Sequence, residues 1–475
     1  MTRPVTRRLT DALLAHLPFA DAASVELPLG RLLRLGLFQV SVAMALTLMA
    51  GTLNRVMIVE LGVSAGLVAV MFAIPLLLAP ARALIGFKSD IHRSAFGWRR
   101  VPYLWNGTML MFGGLAIMPF ALLLLQGSHT GSMLPGRLGA ALAFFLTGAG
   151  AHVVQTAGLA LATDLATEKT RPRVVALLYV MLLLGTLVSA LLFSVALRAY
   201  GPTRLVQVVQ GAALLAALLN VTALWGQEPR NRARAANPPA QTPFRDAWRA
   251  FARDRRAVRL LVAVGLGTAG FSMQDILLEP YGAQVLHLAV SQTSQLTALM
   301  AAGSLAALAL AARHLGRGTD PMRLAGFGAV AGAFGFAGVT LASPIASAAL
   351  FRVGTVVIGF GAGLFSVATL SAAMALATGD RAGLVLGAWG AVQATCAGTA
   401  VALGGVLRDV LGGLAARGAF GEALANQTFG YTFVYHLEIA ALFAALIALG
   451  PLVAPAGAGA ATAPAERFGL AELPG

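Results

Sequence analysis

Twelve runs of roughly twenty apolar residues fill this chain, and each is long enough for an α-helix to cross the hydrocarbon of a bilayer. They begin near Leu35, Val63, Tyr103, Leu138, Val174 and Leu205, and then near Leu260, Val290, Leu324, Ile345, Val385 and Phe433. Lipid offers no hydrogen bonds, so a segment of this kind must satisfy its backbone internally, as a helix does. With 475 residues, 58% hydrophobic and 11% charged, the chain has too few polar residues to clothe a water-soluble core of its size. Soluble domains average about 25% charged residues. The expected fold class is an all-α membrane protein of twelve transmembrane helices in two six-helix halves.

The formal net charge of +15 would suggest nucleic acid if it were concentrated on a soluble domain. The cations instead sit in the gaps between apolar runs, where Lys and Arg hold short loops on the cytoplasmic side. Lys88, Arg93, Arg99 and Arg100 occupy one such gap, Lys169, Arg171 and Arg173 another, and Arg313, Arg317 and Arg323 a third. The most polar stretch, Gly226 to Arg259, carries eight arginines from Arg230 to Arg256 and the pair Pro238 and Pro239, and reads as a cytoplasmic linker. The expected organisation is a cytoplasmic segment 1–34, a six-helix half 35–226, a linker 227–258, a second half 259–453 and a cytoplasmic tail 454–475. Both termini fall in the cytoplasm, with a loop holding Arg408 and Arg417 as the one exception to the charge rule. Leu9, Leu13, Leu14 and Leu17 share one helical face near Arg7 and Arg8, as an interfacial helix would.

Six spans, a basic linker and six more spans is the layout of parallel-repeat transporters, whose binding sites lie at mid-membrane between the halves. The loop after the second span, Gly86-Phe87-Lys88-Ser89-Asp90 ending Gly97-Trp98-Arg99-Arg100, resembles the signature loop of the major facilitator superfamily. In that loop an acidic residue and basic partners latch neighbouring helix ends. The resemblance implies the superfamily's fold and says nothing of its cargo.

Charges within spans cost about 2.5–3.5 kcal/mol on insertion scales, so each needs a partner or a function. Asn54, Arg55 and Glu60 lie toward the outer end of the first span and Arg82 toward the cytoplasmic end of the second, where snorkelling also accounts for the charges. In the seventh span Gln274, Asp275 and Glu279 precede Pro280 and Tyr281. Asp275 and Glu279, at i and i+4, share a helical face and would carry protons, oppose a cation or cap a helix broken at Pro280. His152, His287 and His436 lie within or at the ends of spans. Such histidines are packing residues by default, and neutral imidazole also supplies an axial bond to a metal centre such as the magnesium of a chlorin. Gly328 with Gly332, and Gly383 with Gly387, have the small-xxx-small spacing of close helix packing. The single cysteine, Cys396, precludes an internal disulfide. No phosphate loop, nucleophile elbow or metal-ligand cluster is present in the sequence, so neither a catalytic residue nor a protein-held metal is expected.

Three long stretches resemble the bacteriochlorophyll delivery family, which includes LhaA and PucC. They are LPFADAASVELPLGRLLRLGLFQVSVAMALTLMAGTLNRVMIVELGV from Leu17, RALIGFKSDIHRSAFGWRRVPYLWNGT from Arg82 and QDILLEPYGAQVL from Gln274. The N-terminal half is more similar to the LhaA-like branch, which serves the core antenna around the reaction centre. Membership implies a non-enzymatic assembly factor of the inner, intracytoplasmic photosynthetic membrane of purple bacteria. Its cargo would be bacteriochlorophyll, handed to antenna polypeptides or escorted with them, and its partners those polypeptides, the reaction centre and pigment-synthesis enzymes. His152, His287, His436 and Gln274 then become pigment-binding candidates. Asn54, Arg55, Glu60, Arg82, Asp90, Arg99, Arg100, Asp275 and Glu279 become gating or ion-pair candidates. A proton-coupled small-solute carrier of the same superfamily is the competing expectation.

Overall fold

The computed structural model describes residues 22–24, 27–77, 97–126, 133–167, 170–229, 253–376, 382–426 and 428–453. The N-terminal amphipathic stretch, Arg82, Asp90 and linker residues 230–252 lie outside these residues. Among the described residues thirteen α-helices follow in order: α1 (Leu29–Glu60), α2 (Ala65–Leu77), α3 (Val101–Gln126), α4 (Leu134–Leu165), α5 (Arg171–Ala196), α6 (Pro202–Leu224), α7 (Arg255–Ser272), α8 (Leu278–Gln284), α9 (Val290–Leu315), α10 (Pro321–Ala342), α11 (Ala348–Leu376), α12 (Ala382–Ala416) and α13 (Thr428–Leu449). Among the described residues, eleven helical spans are long and apolar enough to cross a membrane. The helix that holds the run near Val63, α2, is shorter and is described only to Leu77. Among the described residues each of the twelve apolar runs therefore contributes a helix, and α8 completes the seventh span beyond a break.

Local sequence explains where several helices begin. Asp254 accepts the backbone N–H groups of Arg256 and Ala257 at the start of α7, and Asp320 accepts that of Met322 at the start of α10. Pro135, Pro172, Pro202 and Pro321 occupy first turns, where the missing N–H costs nothing. Inside the membrane there is no hydrophobic drive between helices, so close packing must supply the cohesion. The third and fourth spans of each half solve this alike. Gly107 and Gly114 of α3 face Gly150 and Thr147 of α4, and Gly328 and Gly335 of α10 face Gly361 and Gly354 of α11. The expected role of Gly328 and Gly332 in helix approach is thus observed, Gly332 lying under the ring of Phe271. Gly383 and Gly387 themselves are among the residues whose surroundings lie outside the described set.

The two six-span sets meet along two seams, α2 against α12 and α5 against α9. The start of α1, the end of α13 and the starts of α3, α5, α7 and α10 lie at one face of the bundle, called here the terminal end. The turns after α1 and α8 lie at the far end.

Candidate functional site

The seventh span cannot run as one helix, because Pro280 has no N–H to give the carbonyl of Ile276, and its ring crowds that carbonyl. The chain narrows to a 3₁₀ turn over Met273–Ile276 and resumes as α8. The break therefore precedes Pro280, and it separates Asp275 from Glu279, which do not share a continuous helical face as the i, i+4 spacing suggested. A broken helix exposes backbone groups that the membrane cannot satisfy, and other helices supply both partners. Asn54 of α1 donates from Nδ2 to the Ile276 carbonyl at 2.7 Å, and also to the Ala50 carbonyl at 3.0 Å. Glu438 of α13 accepts the Gln274 N–H at 2.8 Å. Asn54, Gln274 and Glu438 are fully buried.

The same region is widened from the α1 side. Leu48–Leu53 and Val56–Glu60 run as π-helical turns, a form that clusters at functional sites. Gly51, within the first, leaves room for the Glu279 carboxylate, which accepts a hydrogen bond from Thr297 at 2.8 Å. Gln274 Nε2 donates to Asp275 at 2.5 Å and to the Phe271 carbonyl. Asp275 and Glu279 both border a cavity of about 220 Å³ in the seam, with Phe72, Thr297 and Ser304. A second cavity of about 190 Å³, toward the terminal end, is lined by Gln39, Gln155, Tyr179, Trp389 and Gln393 among apolar side chains.

Beyond the break, polar contacts pin the far end shut. Thr52 meets Ser294, Ser194 donates to the Ser291 carbonyl at 2.8 Å, and Gln295 donates to Ser194. Arg55 is buried, pairs with Glu60 at 2.6 Å and reaches the Leu288 carbonyl across the seam. Asp409 accepts the Gly66 N–H at 2.6 Å and so caps the start of α2 from the opposite half. Arg408 holds Asp409 at 2.8 Å, donates to Gln284 and lies 4.5 Å over the Tyr431 ring. Arg408 is therefore no loop cation, as its place in the charge pattern suggested. It belongs to α12, which continues to Ala416. Replacing Asp409 with alanine should weaken far-end closure by about 1 kcal/mol, a typical cap value. Maleimide labelling of a cysteine placed at Thr52 in a Cys396→Ser background should then accelerate several-fold. Unchanged labelling would show that the cap does not hold the seam.

At the terminal end, the Glu228 carboxylate accepts the N–H groups of Arg99, Arg100 and Val101 at 2.7, 3.0 and 2.9 Å, capping α3. Asp164, at the end of α4, pairs with Arg100 at 3.0 Å and Arg99 at 3.4 Å. The latch expected at this loop thus involves Asp164 and Glu228, while Asp90 and Arg82 lie outside the described residues.

The histidine candidates do not converge. His152 is half-buried in α4, His287 sits exposed in the turn after α8 with φ +54°, and His436 faces outward from α13. Gln274 belongs to the helix break. Among the described residues no group of three metal-ligating side chains forms. Sequence reasoning does not single out Glu438, Asp409, Asp164 or Glu228. Glu438 carries the same signal as Asp275, an acid inside an apolar run.

A family model described as PUCC protein matches residues 52–457. The chain belongs to the PucC family. A PucC protein of Rhodovulum sulfidophilum is 56% identical to this PucC-family chain over 401 residues, covering 83% of it and 88% of the relative. An uncharacterized protein in the puhA-bchM intergenic region of Rhodobacter capsulatus is 49% identical and covers 99% of each. These names lend no support to the LhaA-like branch over the PucC-like one. A bacterial homologue of the iron transporter ferroportin, solved in an inward-facing state, aligns with a TM-score of 0.66 at 14% identity, covering 88% of this chain and 97% of that one. At that identity the likeness shows the fold, which is that of the major facilitator superfamily, as the signature-loop resemblance implied.

Proposed function

We propose that this PucC-family protein is a non-enzymatic assembly factor for a purple-bacterial light-harvesting complex, delivering bacteriochlorophyll to antenna polypeptides that it escorts in the photosynthetic inner membrane. The core antenna is the proposed destination, and both termini are proposed to face the cytoplasm, in keeping with the Lys and Arg distribution. The observation that carries this reading is the match to the PucC family, and the size of the seam cavities bears on where such cargo is held. At about 190 and 220 Å³ they fall below the roughly 300–1,000 Å³ of pockets that enclose drug-sized ligands. A tetrapyrrole is larger than such ligands, so cargo of that kind is handled on the lipid-facing surface, where antenna helices also reach it.

The experiment is purification of the tagged protein in mild detergent from photosynthetically grown cells, with an absorption spectrum and mass spectrometry of what co-elutes. Bacteriochlorophyll and antenna polypeptides should both be present, and deletion of the protein should lower antenna absorbance several-fold. A colourless protein without antenna polypeptides, together with normal antenna levels in the deletion strain, would overturn the proposal. The meeting of Asp275 and Glu279 on one cavity favours a second reading, a proton-coupled carrier. The double variant Asp275→Asn, Glu279→Gln separates the two. Pigment and antenna recovery should stay within about twofold of wild type if assembly is the function, whereas a carrier would lose pH-driven flux.

A further inference from the structure

His436 lies eight residues past Thr428, the first residue of α13, and thirteen before its end at Leu449. At 1.5 Å per residue that is about 12 Å and 20 Å from the two helix ends, well inside the hydrocarbon. It does not face the bundle. Phe433, Phe443 and Ile447, on the same stripe, are 41%, 57% and 75% exposed, and the opposite stripe, Tyr431, Val434, Tyr435, Glu438 and Leu442, is buried. An ionisable side chain at this depth ordinarily faces the bundle interior or a water-filled cavity. A lipid-facing imidazole is therefore unusual.

Its hydrogen bonding defines what it offers. Nδ1 lies 2.7 Å from the Thr432 carbonyl, one turn back on the same helix. A carbonyl oxygen only accepts, so Nδ1 carries a proton, and in the neutral ring Nε2 then holds a bare lone pair. Ring nitrogens that ligate metals almost always have this second-shell arrangement, with the other ring N–H donated to a carbonyl or carboxylate that fixes the tautomer and raises the basicity of the ligating nitrogen. Lipid tails provide nothing for that lone pair to bond, so leaving it bare costs free energy. Ala440, one turn further along, keeps the space beside the ring free of a large side chain, and Phe433 and Phe443 extend the apolar face to either side.

We infer that Nε2 of His436 is the axial ligand for the central magnesium of a bacteriochlorophyll lying on the outer face of α13. The inference rests on the pigment-delivery reading and specifies where that cargo is held. Magnesium in a tetrapyrrole has four in-plane nitrogen ligands and accepts a fifth from a neutral imidazole. The flat apolar macrocycle suits an apolar helix face open to lipid. A transient carrier is served by a single axial bond on an open surface, because pigment held this way leaves laterally within the membrane, with no need for the bundle to open.

The test uses full-length protein made in a host without bacteriochlorophyll, placed in nanodiscs and titrated with bacteriochlorophyll a. Wild type should bind saturably with a red-shifted long-wavelength band and the resonance Raman marker of five-coordinate magnesium. His436→Leu should weaken binding by about tenfold or more, and His436→Ala should recover the five-coordinate marker when imidazole is added, which a purely structural histidine would not do. Size-exclusion and thermal profiles matching wild type establish that both variants fold. If wild type binds and His436→Leu binds equally well, this site is wrong and pigment delivery stands. If wild type binds no pigment, pigment delivery fails and the site with it. If an antenna helix protects Nε2 without pigment, the lone pair serves a protein partner and the inference is overturned.

Discussion

Gly359→Leu is expected to leave little monodisperse protein in detergent and to lower the thermal transition of the remainder by at least about 5 °C. Gly359 on α11 lies where a Cβ would strike the Met300 backbone of α9, and Gly303 on α9 lies against the Val356 carbonyl and the Phe360 N–H of α11. The contact is reciprocal and made of backbone on both sides, so no side chain can rotate away to relieve it. Overpacking a core costs about 1–3 kcal/mol when neighbours yield. Here the helices themselves must separate, so a cost of about 3 kcal/mol or more is expected, at a few degrees per kcal/mol. The consequence reaches beyond stability, because α9 forms one seam with α5 and supplies Thr297 to Glu279. Gly113→Leu is the control. It is the same change within another span, at a glycine where an added Cβ would meet nothing within 4 Å, and it should leave the transition within about 2 °C of wild type. Equal losses at both positions would mean that glycine acts through helix flexibility and not through close approach.

The sequence discloses the architecture because the bilayer imposes one length and one kind of satisfied backbone on every span. Each apolar run forms a helix, and Pro280 announces the break in the seventh span. The seam partners are less visible. Glu438 and Gln274 are separated by 164 positions, as are most residues that meet across a bundle, and periodicity within one helix says nothing about which neighbour it will find. Arg408 reads as a loop residue because α12 is longer than a crossing requires. Its 35 residues extend about 52 Å, against roughly 30 Å of hydrocarbon, so polar residues near its end belong to a helix that projects past the apolar core. Arg55 and Glu60 have a bland explanation in snorkelling, yet Arg55 is buried and reaches across the seam. The π-helical turns of α1, which aim Asn54 at the seventh span, leave no signature in composition or spacing.

The coupling of Asn54 to Pro280 provides a sharper test of how the halves are joined. In wild type the Ile276 carbonyl has lost its helical donor to Pro280 and takes its hydrogen bond from Asn54, across 222 residues of sequence. Asn54→Leu removes that donor and leaves a buried carbonyl unsatisfied. Hydrogen bonds between membrane helices average about 0.6 kcal/mol and reach about 1.7, and stranding a buried acceptor costs about 1–3 kcal/mol. A loss of about 1–2 kcal/mol is expected, with the far end opening more often. In a Pro280→Ala background the restored N–H lets the seventh span return to an i to i−4 bond with the same carbonyl. Asn54→Leu should then cost about half as much or less, giving a double-mutant coupling of about 1 kcal/mol that thermal unfolding and labelling of a far-end cysteine can both read. Additive effects would show that Asn54 packs against the seventh span without serving its broken backbone. A coupling of the expected sign would make the break a jointed element whose two states differ in one hydrogen bond: internal to the seventh span, or shared with α1. Because that shared bond crosses between the halves, straightening the span and separating the far end would then be a single event.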